Sequence, residues 1–253
     1  MRTEQGESGA ATTQLDDARA RRAVLAALAA LMALQLLRPG DIPFINDEPD
    51  LIGKAFVANQ SGMLADKGLL GSFGVQYAPV CVWIYQLLLT ITNDIVSLAA
   101  IKIAVVWLGV WIAVWRLASL TRLSPWPLLL IPLSPFLWFF QRLLWDNVFL
   151  IPVSAGMTAS LAAFLARPRS GPLVLWAALS ALAFHVHVMA ALPIAAGVVA
   201  LVLFQRDWLH ANRGKVVAIS LVALALSARY LYAILVDRGA QGHAQTEVLH
   251  SLE

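Results

Sequence analysis

Apolar residues in this chain fall in long blocks parted by short polar breaks, not at amphipathic spacing. Such blocks predict membrane-spanning helices. The first, Ala23 to Leu37, lies between the basic run Arg19 to Arg22 and Arg38-Pro39-Gly40. It reaches about 22 Å as a helix, so Arg22 and Arg38 snorkel to opposite faces. A basic flank before an apolar run also opens signal peptides. No small-x-small site follows Leu37, however, so an uncleaved first helix is expected.

The next stretch is mixed. Asp50 to Leu64 predicts an interfacial amphipathic helix, with Leu51, Ala55, Ala58 and Met63 on one side. Lys67-Gly68 and Gly71 to Gly74 break it. Tyr77 to Thr92 is apolar but short. Ile95 to Trp115 is long enough to span and encloses Lys102. Pro125 to Phe140 carries prolines at 125, 127, 132 and 135, and Val148 to Ala166 follows it. Pro172 to Phe204 is interrupted only by His185 and His187. As one helix it would be about 50 Å long, against a hydrocarbon core near 30 Å. Two helices turning near the histidines are expected instead. Val216 to Val236 is the last block.

Charge then fixes the topology. If Tyr77 to Thr92 stays at the outer face, the bases at 116/122, 167/169 and 206/213/215 share the cytoplasmic side with the N-terminal arginines. If it crosses, they move outside, against the positive-inside bias. The fold class expected is therefore all-α: a polytopic transmembrane helix bundle of about seven spanning helices. The spans are 23–38, 96–115, 125–142, 147–166, 171–185, 188–204 and 216–236, with interfacial helices in the first outer loop. Residues 1–22 form a cytoplasmic segment, 23–236 the bundle, and 237–253 a polar outer tail. No internal repeat is visible.

Composition agrees. The chain is 60% hydrophobic and 13% charged, with a mean hydropathy of +0.73 and a net charge of +3. That excludes a soluble globular protein, and bases in short clusters predict no nucleic-acid partner. Cys81 is the only cysteine, so there is no intramolecular disulfide and no cysteine metal site. Heavy use of Ala, Leu and Arg suits a bacterial source.

The chemistry gathers where the chain first leaves the bilayer. Asp41 to Leu51 (DIPFINDEPDL) holds Asp41, Asp47, Glu48 and Asp50. Acids there form a solvated loop, a cation site, or acid–base machinery. Asp146 stands one residue before a predicted span, where a helix-capping role is also adequate. Arg142 can snorkel or hold an anion. Lys102 lies inside an apolar helix, where ionisable groups are costly and often functional. His185 and His187 are two apart, so on a regular helix they point about 200° from each other. Both can face one ion only if the helix breaks there. The tryptophans at 107, 111, 115, 126, 138 and 145 are read mainly as lipid-facing or interfacial anchors.

The order of these features resembles the GT-C glycosyltransferases, such as the protein O-mannosyltransferases and the bacterial lipid A sugar transferases. Asn46-Asp47-Glu48 matches the Asp-Glu pair that opens their first outer loop. Gly74-x-x-Tyr77-x-Pro79 resembles the Tyr-x-Pro segment of that loop. Ser134-Pro135, then Trp145-Asp146 before a helix, resembles the Ser-Pro…Asp pattern of the next outer turn. The helix pair around His185 and His187 resembles one in which the family often has a lysine. The match is to the conserved N-terminal module, beyond which such enzymes usually continue. Pro49, directly after the Asp-Glu pair, departs from the usual pattern.

The resemblance implies a multi-pass protein of the bacterial cytoplasmic membrane. It would move a sugar from a polyprenyl-phosphate donor to an acceptor hydroxyl at the outer face. Asp47 is then the catalytic base, with Glu48 beside it. Glu48 or Asp146 would orient the acceptor or hold a divalent cation through oxygen ligands. Arg142, Lys54 or Lys102 would hold the phosphate, and His187 would contact phosphate or acceptor. The partners are the lipid-linked sugar and membrane lipids, with the acceptor open. A non-catalytic or accessory protein of this type is the alternative. A transporter is a further one, though the charges gather at one face and no pseudo-symmetric halves are visible.

Overall fold

A computed structural model describes residues 4–41, 44, 47–71, 76–120, 126–131 and 133–232, and their side chains except at 4–15, 136 and 229. Among the described residues there are helices and no strands. They are α1 Glu4–Leu36, α2 Asp47–Gln60, α3 Val80–Leu89, α4 Ile95–Leu120, α5 Pro135–Phe140, α6 Leu150–Ala166, α7 Ser170–Val186, α8 Ala191–Ala211 and α9 Arg213–Tyr232. Short 3-10 turns lie at Trp126–Leu130, Asp146–Phe149 and Val188–Ala190.

Three stretches are long and apolar enough to cross a bilayer: Ile95–Leu120, Asp146–Ala166 and Val188–Ala211, with mean hydropathies of 2.3, 1.9 and 2.3. By that measure this is a membrane protein. The last of them leaves Val199, Leu203 and Phe204 at 55%, 69% and 70% exposure. Lipid contact is the physical account of so open an apolar face.

Helix α4 is central. It packs against α1 on one side and α6 on the other, and α6 leads on to α7 and α7 to α9. A Cβ at Gly109 would stand 2.8 Å from Pro152 Cβ, so glycine lets α4 and α6 approach closely. Asp94 fixes where α4 starts. Its carboxylate accepts from the Ser97 amide at 2.9 Å and the Ser97 hydroxyl at 2.7 Å. Those bonds hold the Asp94 carboxyl below its usual range.

Between α1 and α4, α2 buries Leu51, Ile52 and Ala55 against α3. The helix expected over Asp50 to Leu64 thus starts at Asp47 and stops before Met63, which is 68% exposed. The buried Gln86 amide ties the end of α2 down. It donates to Asn59 Oδ1 at 3.1 Å and to the Met63 carbonyl at 3.0 Å, and accepts from the Ala65 amide at 3.0 Å. Helix α3 has 10 residues, which is about 15 Å and half a hydrocarbon core. It is too short to cross.

Several expectations change. The helix carrying 23–38 begins at Glu4, because Glu, Gln, Arg and Ala are good helix formers and nothing stops it at the interface. The expected helix over 125–142 is broken into the turn Trp126–Leu130 and α5. Prolines lack the amide a helix interior needs, and Ser134 recaps the chain by accepting from the Leu137 amide at 3.4 Å. Trp107 is not a lipid anchor. It is 1% exposed and donates to Gln35 Oε1 at 2.6 Å. The turn between α7 and α8 falls at His187, as expected. The tail 237–253, Asn46 and Gly74 lie outside the described residues.

Candidate functional site

Two cavities meet at Tyr77. One is a polar pocket of about 180 Å³ walled by Asp47, Tyr77, Trp145, Asp146, Asn147 and His187. The other is a larger groove of about 490 Å³, walled mainly by apolar residues of α3, α7 and α9, with Asp66 and Lys67 at its edge. Of their lining residues, Tyr77 alone belongs to both.

The polar pocket is built by chain segments far apart in sequence. Asp47 is the first residue of α2, exposed, and accepts from Trp145 Nε1 at 3.1 Å. Asp146 opens the turn before α6 and is 3% exposed. Its Oδ1 accepts from the Asn147 amide at 2.7 Å. The segment leading to it, 141–146, keeps helical backbone bonds at Gln141, Arg142 and Leu143 and is also held by side chains. Lys102 Nζ donates to the Gln141 carbonyl, and Tyr85 donates to the Leu144 carbonyl at 2.8 Å.

Backbone bonds anchor Tyr77, pairing Gly68 N with Tyr77 O at 2.9 Å and Tyr77 N with Leu69 O at 2.8 Å. A Cβ at Gly71 would lie 2.7 Å from the Tyr77 ring, so glycine at 71 lets the backbone there lie against the phenol. Tyr77 Oη stands 3.2 Å from His187 Nε2. Burial lowers the pKa of His187, keeping the ring neutral near neutral pH. Burial, then the carboxylates of Asp146 and Asp47, raises that of Tyr77. The phenol keeps its proton and remains a donor.

The other expected site residues are placed elsewhere. Glu48 is buried on the inner side of α2, 5% exposed, in the electrostatic field of Lys102, and does not line the pocket. Lys102 is fully buried rather than snorkelling. Lys54 reaches Asp50 at 3.1 Å and the Gly68 carbonyl at 3.3 Å. Arg142 donates to the Arg38 carbonyl at 2.7 Å. All three expected phosphate-holding cations thus bond backbone carbonyls, and none lines either cavity. Lys67, at the groove's edge, was not anticipated. Its only sequence signal is a lysine at a glycine break.

The two histidines part company. His187 faces the pocket, whereas His185 bonds the Leu226 carbonyl at 3.0 Å and stacks on Tyr230. They do not face one ion. Among the described residues no three His, Cys, Asp or Glu side chains converge to hold a metal. Of the two acids expected to bind a cation, Asp146 lines the pocket and Glu48 does not. A hard divalent ion takes about six oxygens, so substrate and water oxygens would have to complete a shell begun by Asp47 and Asp146.

No protein-family model, no curated protein and no solved structure matches this chain.

Proposed function

We propose that the chain is an integral membrane glycosyltransferase that takes a sugar from a polyprenyl-phosphate donor to an acceptor hydroxyl. The observation that carries this reading is the joint at Tyr77. A polar pocket bearing two carboxylates abuts a long apolar groove, which suits a ligand with a hydroxylated head and an apolar chain. The likeness of Asp47-Glu48, Tyr77-x-Pro79 and Trp145-Asp146 to GT-C segments supports it.

In the reaction the acceptor oxygen attacks the anomeric carbon. The bond from that carbon to the phosphate oxygen breaks, and polyprenyl phosphate leaves with the electron pair. Asp47 takes the hydroxyl proton. It is the exposed carboxylate, and Trp145 fixes its other face. Asp146, buried and held by the Asn147 amide, orients the acceptor. Lys67 answers the phosphate charge at the groove's edge. A divalent cation on Asp47 and Asp146 would supply further charge at the leaving phosphate. The second reading is a protein that binds the lipid-linked sugar without turnover. The engagement of Arg142, Lys54 and Lys102 with carbonyls favours it.

The test is transfer of labelled sugar from a panel of polyprenyl-phosphate donors by the purified chain in lipid. Transfer supports the first reading, binding without transfer selects the second, and the absence of both overturns both. Seven spans with the site at the outer face of a bacterial cytoplasmic membrane complete the proposal. Ser61→Cys on a Cys81→Ser background places a thiol just beyond α2. It is expected to react with a membrane-impermeant maleimide in intact cells. Labelling only after lysis would reverse the topology.

A further inference from the structure

We infer that Tyr77 and Tyr230 form a pair of hydroxyl donors for a phosphoryl oxygen of the ligand where its head meets its chain. His187 acts as the positioning residue for Tyr77. This rests on the lipid-phosphate reading of the site and names the groups that read the phosphate.

The first donor follows from one tautomer. The Met189 amide donates to His187 Nδ1 at 3.2 Å, as the chain turns from α7 into α8. A nitrogen that accepts carries no proton, so the neutral ring is protonated at Nε2. Nε2–H must then donate to Tyr77 Oη, 3.2 Å away. The tyrosine oxygen is the acceptor of that bond, and its own O–H is unspent. The ring is held by His187 at a centroid distance of 5.0 Å and by the absence of a side chain at Gly71. The free proton therefore has a defined origin at the wall common to pocket and groove.

The second donor is Tyr230, near the end of α9. It is 3% exposed, lines the groove, and its hydroxyl has no hydrogen-bond partner among the described residues. A buried hydroxyl left unpaired is costly, so its presence calls for an occupant that accepts from it. His185 holds its ring by stacking at 5.6 Å and is itself tied to the Leu226 carbonyl. Tyr77 and Tyr230 both line that groove, so the two phenols face one cavity. Each phenol is thus backed by a histidine, His185 in the last turn of α7 or His187 just beyond it, and each offers an O–H. Two neutral donors suit an anionic oxygen that must sit beside Asp47 and Asp146, because they add no charge and accept no proton from either acid.

The test uses the full chain in detergent, with farnesyl phosphate as probe and farnesol as its uncharged control. Wild type is expected to prefer the phosphate. Tyr77→Phe and Tyr230→Phe should each weaken farnesyl phosphate about tenfold and farnesol little, the scale of one hydrogen bond to a charged oxygen. Tyr230→Phe removes an unpaired buried hydroxyl, so its unfolding temperature should hold or rise while affinity falls. A merely structural tyrosine would move both down together. His187→Gln keeps an amide donor near the Nε2 position and should bind nearly as wild type. His187→Asn keeps only an acceptor for the Met189 amide and should match Tyr77→Phe. Unchanged preference for the phosphate in both phenylalanine variants overturns the donor pair. Equal affinities in the two His187 variants overturn the positioning role. A wild type indifferent to farnesyl phosphate overturns the lipid-phosphate reading itself, and the pair with it.

Discussion

Asp47→Asn is expected to lower kcat for sugar transfer roughly a thousandfold, in the middle of the range for loss of a general base. The substitution is close to isosteric, and an amide oxygen still accepts from Trp145 Nε1, the bond that fixes Asp47 in the wild type. Helix α2 keeps its start, and its buried face of Leu51, Ile52 and Ala55 is untouched. Expression, membrane insertion and KM for the lipid donor should therefore hold. What is lost is the lone pair that takes a proton at a carboxylate's basicity. Asp146 cannot replace it, because it is buried and its Oδ1 is already engaged by the Asn147 amide. The measurement is single-turnover transfer of labelled sugar, with donor affinity determined separately. A variant retaining more than about a tenth of wild-type kcat would remove Asp47 as the base. Asp146→Asn, made alongside, would then be the variant to show the large loss.

The sequence made some of this site readable. Asp47 is an acid soon after the first apolar block, Asp146 an acid directly before another, and His187 a polar break in an apolar run. Each marks a place where a helix must end, and helix ends in a bundle meet at its faces. The cations were readable as charges but not as donors. Arg38, Gly68 and Gln141 present carbonyls that Arg142, Lys54 and Lys102 satisfy. Those carbonyls lie at or near breaks whose exact places hydropathy does not encode. Trp107 shows a second limit. A tryptophan in an apolar helix looks the same whether lipid or Gln35 lies opposite, because both faces are apolar in pattern. Helix continuity suffers likewise at 125–142, where apolar length suggested one helix and the prolines break it in two. Tyr230 carried no signal, since its role depends on a groove closed by α3 and α7, far away in sequence.

Lys102→Met is expected to destabilise the folded protein by about 3 kcal/mol or more, the cost of removing one member of a buried charged set. Methionine nearly matches the lysine in length, so little cavity is created and the loss is electrostatic. Lys102 is fully buried, and its ammonium serves two purposes at once. It satisfies the Gln141 carbonyl, and it lies in the field of Glu48, which is 5% exposed on α2. Without it, that carbonyl loses its donor and Glu48 loses a favourable nearby charge. Adding Glu48→Gln removes that charge interaction and should recover about 1 kcal/mol. The double variant is then more stable than Lys102→Met alone, although Glu48→Gln by itself destabilises. Unfolding in detergent across the four proteins of this cycle measures the coupling. Strict additivity would mean that Lys102 acts through the carbonyl alone. The same cycle bears on function, because Gln141 begins the segment that carries Arg142, Trp145 and Asp146. When Lys102 is lost, that segment loses the tether at its start, keeping the Tyr85 bond at Leu144 and the backbone bonds at 141–143. Asp146 then drifts from its place beside Asp47, and transfer falls even at temperatures where the variant remains folded. Glu48→Gln is not expected to restore that activity, since it returns stability to α2 but no donor to the Gln141 carbonyl.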